Sequence, residues 1–174
     1  MNTHHPVSRA PYRGFTLIEI LVVIAIIAVL ATMTVGGLGY YKRKAAESKT
    51  QVFVGSISRA LDEYHSDNGV FPEYTDEGAL GASTKILYKE LYGDRNGDGK
   101  PDDGATVYLA TLSPDIKGSA RNVEEAVGSG YFLIDGFKRR MRYLSPGKNN
   151  PDFDLWSTGA NAGATVDKDD ISNW

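Results

Sequence analysis

The sequence predicts an α+β protein: a long N-terminal helix, apolar in its first half and amphipathic in its second, packed on a small C-terminal antiparallel β-sheet with Asp-rich loops. Three observations carry this prediction. Phe15–Leu38 contains a single charged residue, Glu19. Tyr40–Asn68 contains no proline and repeats apolar residues at helical spacing. Beyond residue 130, short strand-like runs alternate with Gly, Pro and Asn turns.

The first run is 24 residues long. As a helix it would extend about 36 Å, enough to cross a hydrocarbon layer about 30 Å thick with some tilt. Arg9 and Arg13 precede it and favour retaining the N-terminus in the cytoplasm; Lys42-Arg43-Lys44, on the far side, opposes that rule. A buried core helix would not be this long or apolar on every face. Thr34-Val35-Gly36-Gly37 is a poor secretory cleavage site, and a plain anchor leaves Glu19 unexplained. A carboxylate within an apolar span costs up to about 3 kcal/mol, less near an interface. Either Glu19 snorkels from the helix end, or it meets a partner. Cleavage after Gly14 would supply one, the new α-amine of Phe15, and each charge would then offset the other's desolvation.

Gly14 followed by Phe15-Thr16-Leu17-Ile18-Glu19 and a long apolar run resembles the class III signal of type IV pilins and of the pseudopilins of type II secretion. The resemblance implies three segments: a leader over residues 1–14, a membrane and polymerisation helix over 15–39, and a periplasmic globular domain over 40–174. It further implies cleavage by a prepilin peptidase, N-methylation of Phe15, and assembly into a helical homopolymer in which Glu19 registers incoming subunits. The implied location is the bacterial inner membrane, single-pass, with minor pseudopilins and an inner-membrane assembly platform as partners. Gly36-Gly37 stands where these families commonly carry a helix-breaking proline. Glycine is the weaker breaker, costing about 1 kcal/mol in a helix, so local unwinding there is only weakly encoded.

Within Tyr40–Asn68, Phe53, Ile57, Leu61 and Tyr64 form one apolar stripe, and Asn68-Gly69 before Phe71-Pro72 is a stop signal. This closing pattern resembles that of the major pseudopilin. Residues 73–128 show a short helical pattern around Thr84–Leu91. Tyr131–Ile134 and Phe137–Leu144 flank Asp135-Gly136, a two-residue hairpin signal, and Phe153–Ser157 reads as a third strand. A hairpin alone would be marginal, so the sheet needs the helix stripe to cover its inner face.

Two Asp-rich segments are candidate calcium sites. Asp94, Asn96, Asp98 and Asp102 occupy positions 1, 3, 5 and 9 of an EF-hand-like loop with Gly99 at 6. Position 12 is Ala105, so either affinity is weaker or Asp103 substitutes for the missing Glu. The alternative is a solvated Asp-Gly turn cluster. The second segment, Asp154 to Trp174, resembles the calcium loop of the major pseudopilin. By that resemblance the ligands are the carbonyl of Thr158 and the side chains of Asn161, Asp167, Asp169 and Asp170, with Asn161 in place of the usual Asp.

The formal charge is −3. Without the two leader arginines, seventeen bases face twenty-two acids, net −5, which disfavours a general nucleic-acid binder. Lys138–Arg142 is basic, but alternation along a strand would scatter it over both faces. There is no cysteine, hence no disulfide, thiolate zinc site or cysteine nucleophile. His65 is the one histidine beyond the leader, and neither a nucleophile elbow nor a P-loop is present. The sequence therefore points to a non-enzymatic major pseudopilin. The alternatives are a type IV pilin for adhesion, motility or DNA uptake, and a membrane-anchored calcium-binding module that never polymerises. The absence of a C-terminal cysteine pair favours the pseudopilin.

Overall fold

The computed structural model describes residues 14–128, 130–161 and 170–174, without the side chains of residues 33–37 and Leu80. The expected leader, apart from Gly14, therefore lies outside the described residues, as do Asp167 and Asp169. The chain divides into two compact units, Met1–Tyr40 and Tyr41–Trp174. Helix α1, Leu17–Asn68, contributes to both, and its assignment continues through Gly36-Gly37.

In the first unit the apolar side chains of Leu17–Leu30 are uncovered; Leu17 is 84% and Ile24 58% exposed. Among the described residues no helix is long and apolar enough to cross a membrane. The expected span at 15–39 includes side chains 33–37, which lie outside that description.

In the second unit α1 turns the predicted stripe inward. Phe53, Ile57 and Leu61 are buried, joined by Val54 and Ala60, with Tyr64 packed at the edge. A second helix, α2 (Thr84–Tyr92), supplies Leu87, Tyr88, Leu91 and Tyr92 to the same core and ends at Gly93. Gly93 sits at φ 78°, and a Cβ there would come 2.8 Å from Ala105 Cβ, so glycine is required by both conformation and space. Leu112, Val123, Leu133, Met141, Tyr143, Phe153 and Leu155 close the core.

The sheet departs from the expected three-stranded unit. There are two small antiparallel sheets: β1 (Val123–Glu125) with β2 (Tyr131–Leu133), and β3 (Arg142–Leu144) with β4 (Asp154–Ser157) and β5 (Ile171–Ser172). Between β2 and β3 lie the isolated bridge Ile134–Arg140 and a bond from Met141 N–H to the Leu133 carbonyl at 2.9 Å. The N-terminus of α2 stands beside them. The Thr84 hydroxyl accepts from Leu133 N–H at 3.2 Å, and the Ser83 hydroxyl accepts from Tyr143 N–H at 2.8 Å. Side-chain oxygens thus take the donors a continuous ladder would have used. The Asp135-Gly136 turn is also longer than two residues. Asp135 N–H donates to Arg139 carbonyl, and Lys138, between them, adopts φ 63°.

Ile57→Ala should lower the unfolding free energy by about 2–5 kcal/mol, because Ile57 is wholly enclosed in the core. Val52→Ala, on the exposed side of the same helix, should change it by less than about 0.5 kcal/mol. Urea denaturation followed by the fluorescence of buried Trp156 measures both.

Candidate functional site

At the start of α1, Phe15 is 80% exposed and Thr16 caps the helix. Glu19 Oε2 accepts from Thr16 N–H and from the Thr16 hydroxyl, each at 2.8 Å, while Glu19 N–H donates to Thr16 Oγ1 at 3.3 Å. This reciprocal arrangement is a capping box, in which two helix N-terminal donors find acceptors. The spacing Thr16-x-x-Glu19 signals it directly, and reading Glu19 only as an assembly charge missed it. With Gly14 still attached, the Phe15 nitrogen is an amide, and the carboxylate is held within one residue of that position.

In the loop after α2, Asp94 is fully buried. Its Oδ1 accepts from Gly97 N–H at 2.6 Å and Asp98 N–H at 3.1 Å; its Oδ2 accepts from Gly99 N–H at 2.7 Å and the Tyr88 hydroxyl at 2.9 Å. Burial first, and the bond to Asp94 second, push the Tyr88 hydroxyl well above its usual range, so it stays a donor. Asp98 Oδ1 accepts from Lys100 N–H, Asn96 Oδ1 from Asp98 N–H, and Asp102 Oδ2 from Arg95 N–H. A divalent cation of the calcium type needs six to eight converging oxygens. Among the described residues no three Asp, Glu or His side chains gather that way, and the oxygens of this loop are turned onto its own N–H groups.

The C-terminal segment is anchored by two further buried carboxylates. Asp154 accepts from the N–H groups of Lys148, Asn149 and Asn150 and from Asn149 Nδ2. Asp135 accepts from Phe137 and Arg139 N–H through Oδ1, and from the Ser157 hydroxyl through Oδ2 at 2.6 Å. Arg139 Nη1 in turn donates to the carbonyls of Gly159, at 2.7 Å, and Asn161. Of the expected ligand set, Thr158 is buried, Asn161 is exposed and Asp170 is half-buried. Sequence reading took Asp135 only as a turn residue and Arg139 only as part of a basic run, and missed what they hold. Asp followed by Gly in a turn is a signal for the first, whereas nothing local marks the second.

The basic run is dispersed, but by a turn and not by strand alternation, since Lys138 sits at φ 63° and β3 begins only at Arg142. Lys138 donates to Arg121 carbonyl, Arg139 holds the C-terminal segment, and Arg140 pairs with Glu124 while its guanidinium lies 3.9 Å from the Phe132 ring centroid. His65 is exposed and stacks on Phe71 at 4.4 Å.

Residues 9–35 match the family model described as the prokaryotic N-terminal methylation motif, a range that includes Gly14, Phe15 and Glu19. Over 162 residues the chain is 34% identical to type II secretion system core protein G of Pectobacterium carotovorum subsp. carotovorum, spanning 93% of this chain and 84% of that protein. Against the core protein G of Klebsiella pneumoniae it is 35% identical, spanning 93% and 94%. The chain belongs to the type II secretion system core protein G family. Among solved structures, the major pseudopilin of the type 2 secretion system of enterohaemorrhagic Escherichia coli aligns at 23% identity with a TM-score of 0.43, covering 79% of this chain and 89% of that chain. Core protein G membership, with the methylation-motif match, bears out the resemblance to type II secretion read from Phe15–Glu19.

Asp94→Ala removes the acceptor of four donors and should destabilise the globular unit by at least about 3 kcal/mol. Asp98→Ala, at an exposed position, should cost under about 1.5 kcal/mol. Thermal melts of the two variants side by side check the difference.

Proposed function

We propose that this chain polymerises as the major pseudopilin of a type II secretion-like system, forming a periplasmic fibre that grows from the inner membrane and helps drive folded proteins outward. The observation that supports the reading best is the helix from Leu17 to Thr32. Its large apolar side chains are exposed, and its one ionisable group, Glu19, sits in the first turn. Such a surface is unfavourable in water and suits lipid before assembly and neighbouring helices after it. The role is structural rather than catalytic. Its partners are copies of itself, minor pseudopilins, the inner-membrane platform and the prepilin peptidase that removes residues 1–14 and exposes Phe15. Once the Phe15 amine is free, its charge offsets that of Glu19 in a medium where either alone would be costly.

Two substitutions separate charge from capping. Glu19→Gln keeps an acceptor oxygen for Thr16, whereas Glu19→Ala removes it. Both should insert in the membrane like the parent chain, and neither should form filaments. Carbonate extraction and electron microscopy read the two steps. Filaments from Glu19→Gln would show that the cap alone suffices.

Calcium is proposed at the C-terminal segment, with Thr158 carbonyl, Asn161, Asp167, Asp169 and Asp170 as the residues that would hold it and loop ordering as what it would supply. The chemistry of the set supports this: clustered carboxylates repel one another, and a divalent ion relieves that repulsion. The chain should melt at a higher temperature in millimolar calcium than in chelator, and Asp169→Asn with Asp170→Asn should abolish the difference. Equal midpoints for the parent chain would refute it.

A further inference from the structure

The globular unit carries net negative charge, yet the end where its chain begins is basic. Tyr41, Lys42, Arg43 and Lys44 are all exposed. Glu47 lies 3.1 Å from Arg43 and 3.4 Å from Lys44. A second pair of bases stands close behind. Lys49 Nζ and Lys138 Nζ share the Arg121 carbonyl oxygen, at 3.4 Å and 3.1 Å. The Lys138 turn is brought there by close packing, since a Cβ on Gly136 would fall 2.2 Å from the Ala46 carbonyl oxygen. Asp135, the nearby acid, is buried and engaged with Phe137, Arg139 and Ser157. Burial first, and the Lys138 charge second, lower the Lys49 ammonium below its usual range, while Asp135 acts the other way.

We propose that this basic end docks the globular unit onto anionic phospholipid headgroups, with Tyr41–Lys44 in contact and Lys49 and Lys138 adding to the field behind them. The inference rests on the membrane reading of residues 15–38. Lys42 follows Leu38 by four residues, about 6 Å along a helix, and headgroup layers occupy about that depth on each side of the hydrocarbon. Tyrosine favours this level, and each nearby base strengthens attraction to an anionic leaflet about fivefold. Three bases on the exported flank run against the usual loop-charge bias; lipid phosphates on that side would offset them. An acidic face on a second copy is the competing occupant, but nothing about a second copy requires the bases to begin at headgroup depth.

The test uses the full chain in nanodiscs of phosphatidylcholine alone or mixed with phosphatidylglycerol, with amide hydrogen exchange read over residues 41–50 and 136–138. Phosphatidylglycerol should slow exchange there about fivefold or more. High salt should reverse the effect, and the combined Lys42→Gln, Arg43→Gln and Lys44→Gln variant should lack it. Equal exchange in both lipids, with the chain inserted, overturns the proposal. So does protection that follows the number of chains per disc instead of lipid charge, which would assign the surface to a second copy. A chain that remains outside the discs overturns the membrane reading and this inference with it.

Discussion

Buried aspartate carboxylates that collect backbone N–H groups organise the globular unit. Its strands are two to four residues long, too short for ladder bonds alone to fix the loops between them. The chain has no cysteine to cross-link them. Asp94, Asp135 and Asp154 each sit at most 2% exposed, and each accepts from backbone N–H groups two to six residues away. A buried ionised carboxylate is tolerable only when its lone pairs are filled, and unpaired loop N–H groups are tolerable only when they find acceptors. Each requirement meets the other. The outcome is three loops with one strongly preferred arrangement apiece, at positions where regular structure is absent.

Those loops bear directly on the helix. Fixing the Asp135 turn brings Gly136 against Ala46, and Gly136 N–H donates to Thr50 Oγ1 at 3.0 Å. Asp135 also holds Ser157, whose hydroxyl accepts from Gly159 N–H at 3.0 Å. One carboxylate thereby joins the helix, the end of β4 and the entry to the C-terminal segment. Asp154 closes the Ser145–Asn150 loop so tightly that a Cβ on Gly147 would lie 2.2 Å from the Asn150 carbonyl oxygen. The inner stripe of α1, from Phe53 to Leu61, is consequently covered by elements that are individually marginal and jointly well determined.

Periodicity made the long helix and its buried stripe legible, because burial on one face imposes a repeat that no other structure shares. Thr84–Tyr92 was visible for the same reason. The sheet was legible only as strand-forming composition. Its division depends on Ser83 and Thr84, remote in sequence from Tyr143 and Leu133, offering hydroxyls where a ladder would have formed. No local pattern announces a side chain that intercepts a strand from sixty residues away. At the N-terminus the opposite holds. Thr16 and Glu19 are three residues apart, and their capping geometry is encoded in the pattern itself. What the charge of Glu19 would do after the proposed cleavage belongs to a different chemical species, with an amine where this chain has an amide.

In the Asp-rich loop after α2, carboxylate oxygens meet backbone N–H groups of the same loop. Alternating Asp and Asn with intervening glycines places oxygens at a spacing that can ring a cation. The same glycines, Gly97 at φ 81° and Gly99 at φ 90°, let successive N–H groups turn toward a single anion. One sequence pattern therefore serves two opposite electrostatic arrangements, a cation inside a ring of oxygens or a carboxylate inside a ring of N–H donors. The choice turns on whether the first carboxylate is accessible. Asp94 is enclosed beneath Tyr88, which donates to it from the core side. The fourth donor is then a protonated phenol kept neutral by its own burial. The C-terminal segment differs in kind: there a guanidinium, Arg139, bonds the backbone oxygens of Gly159 and Asn161, so positive charge is already part of that segment's construction.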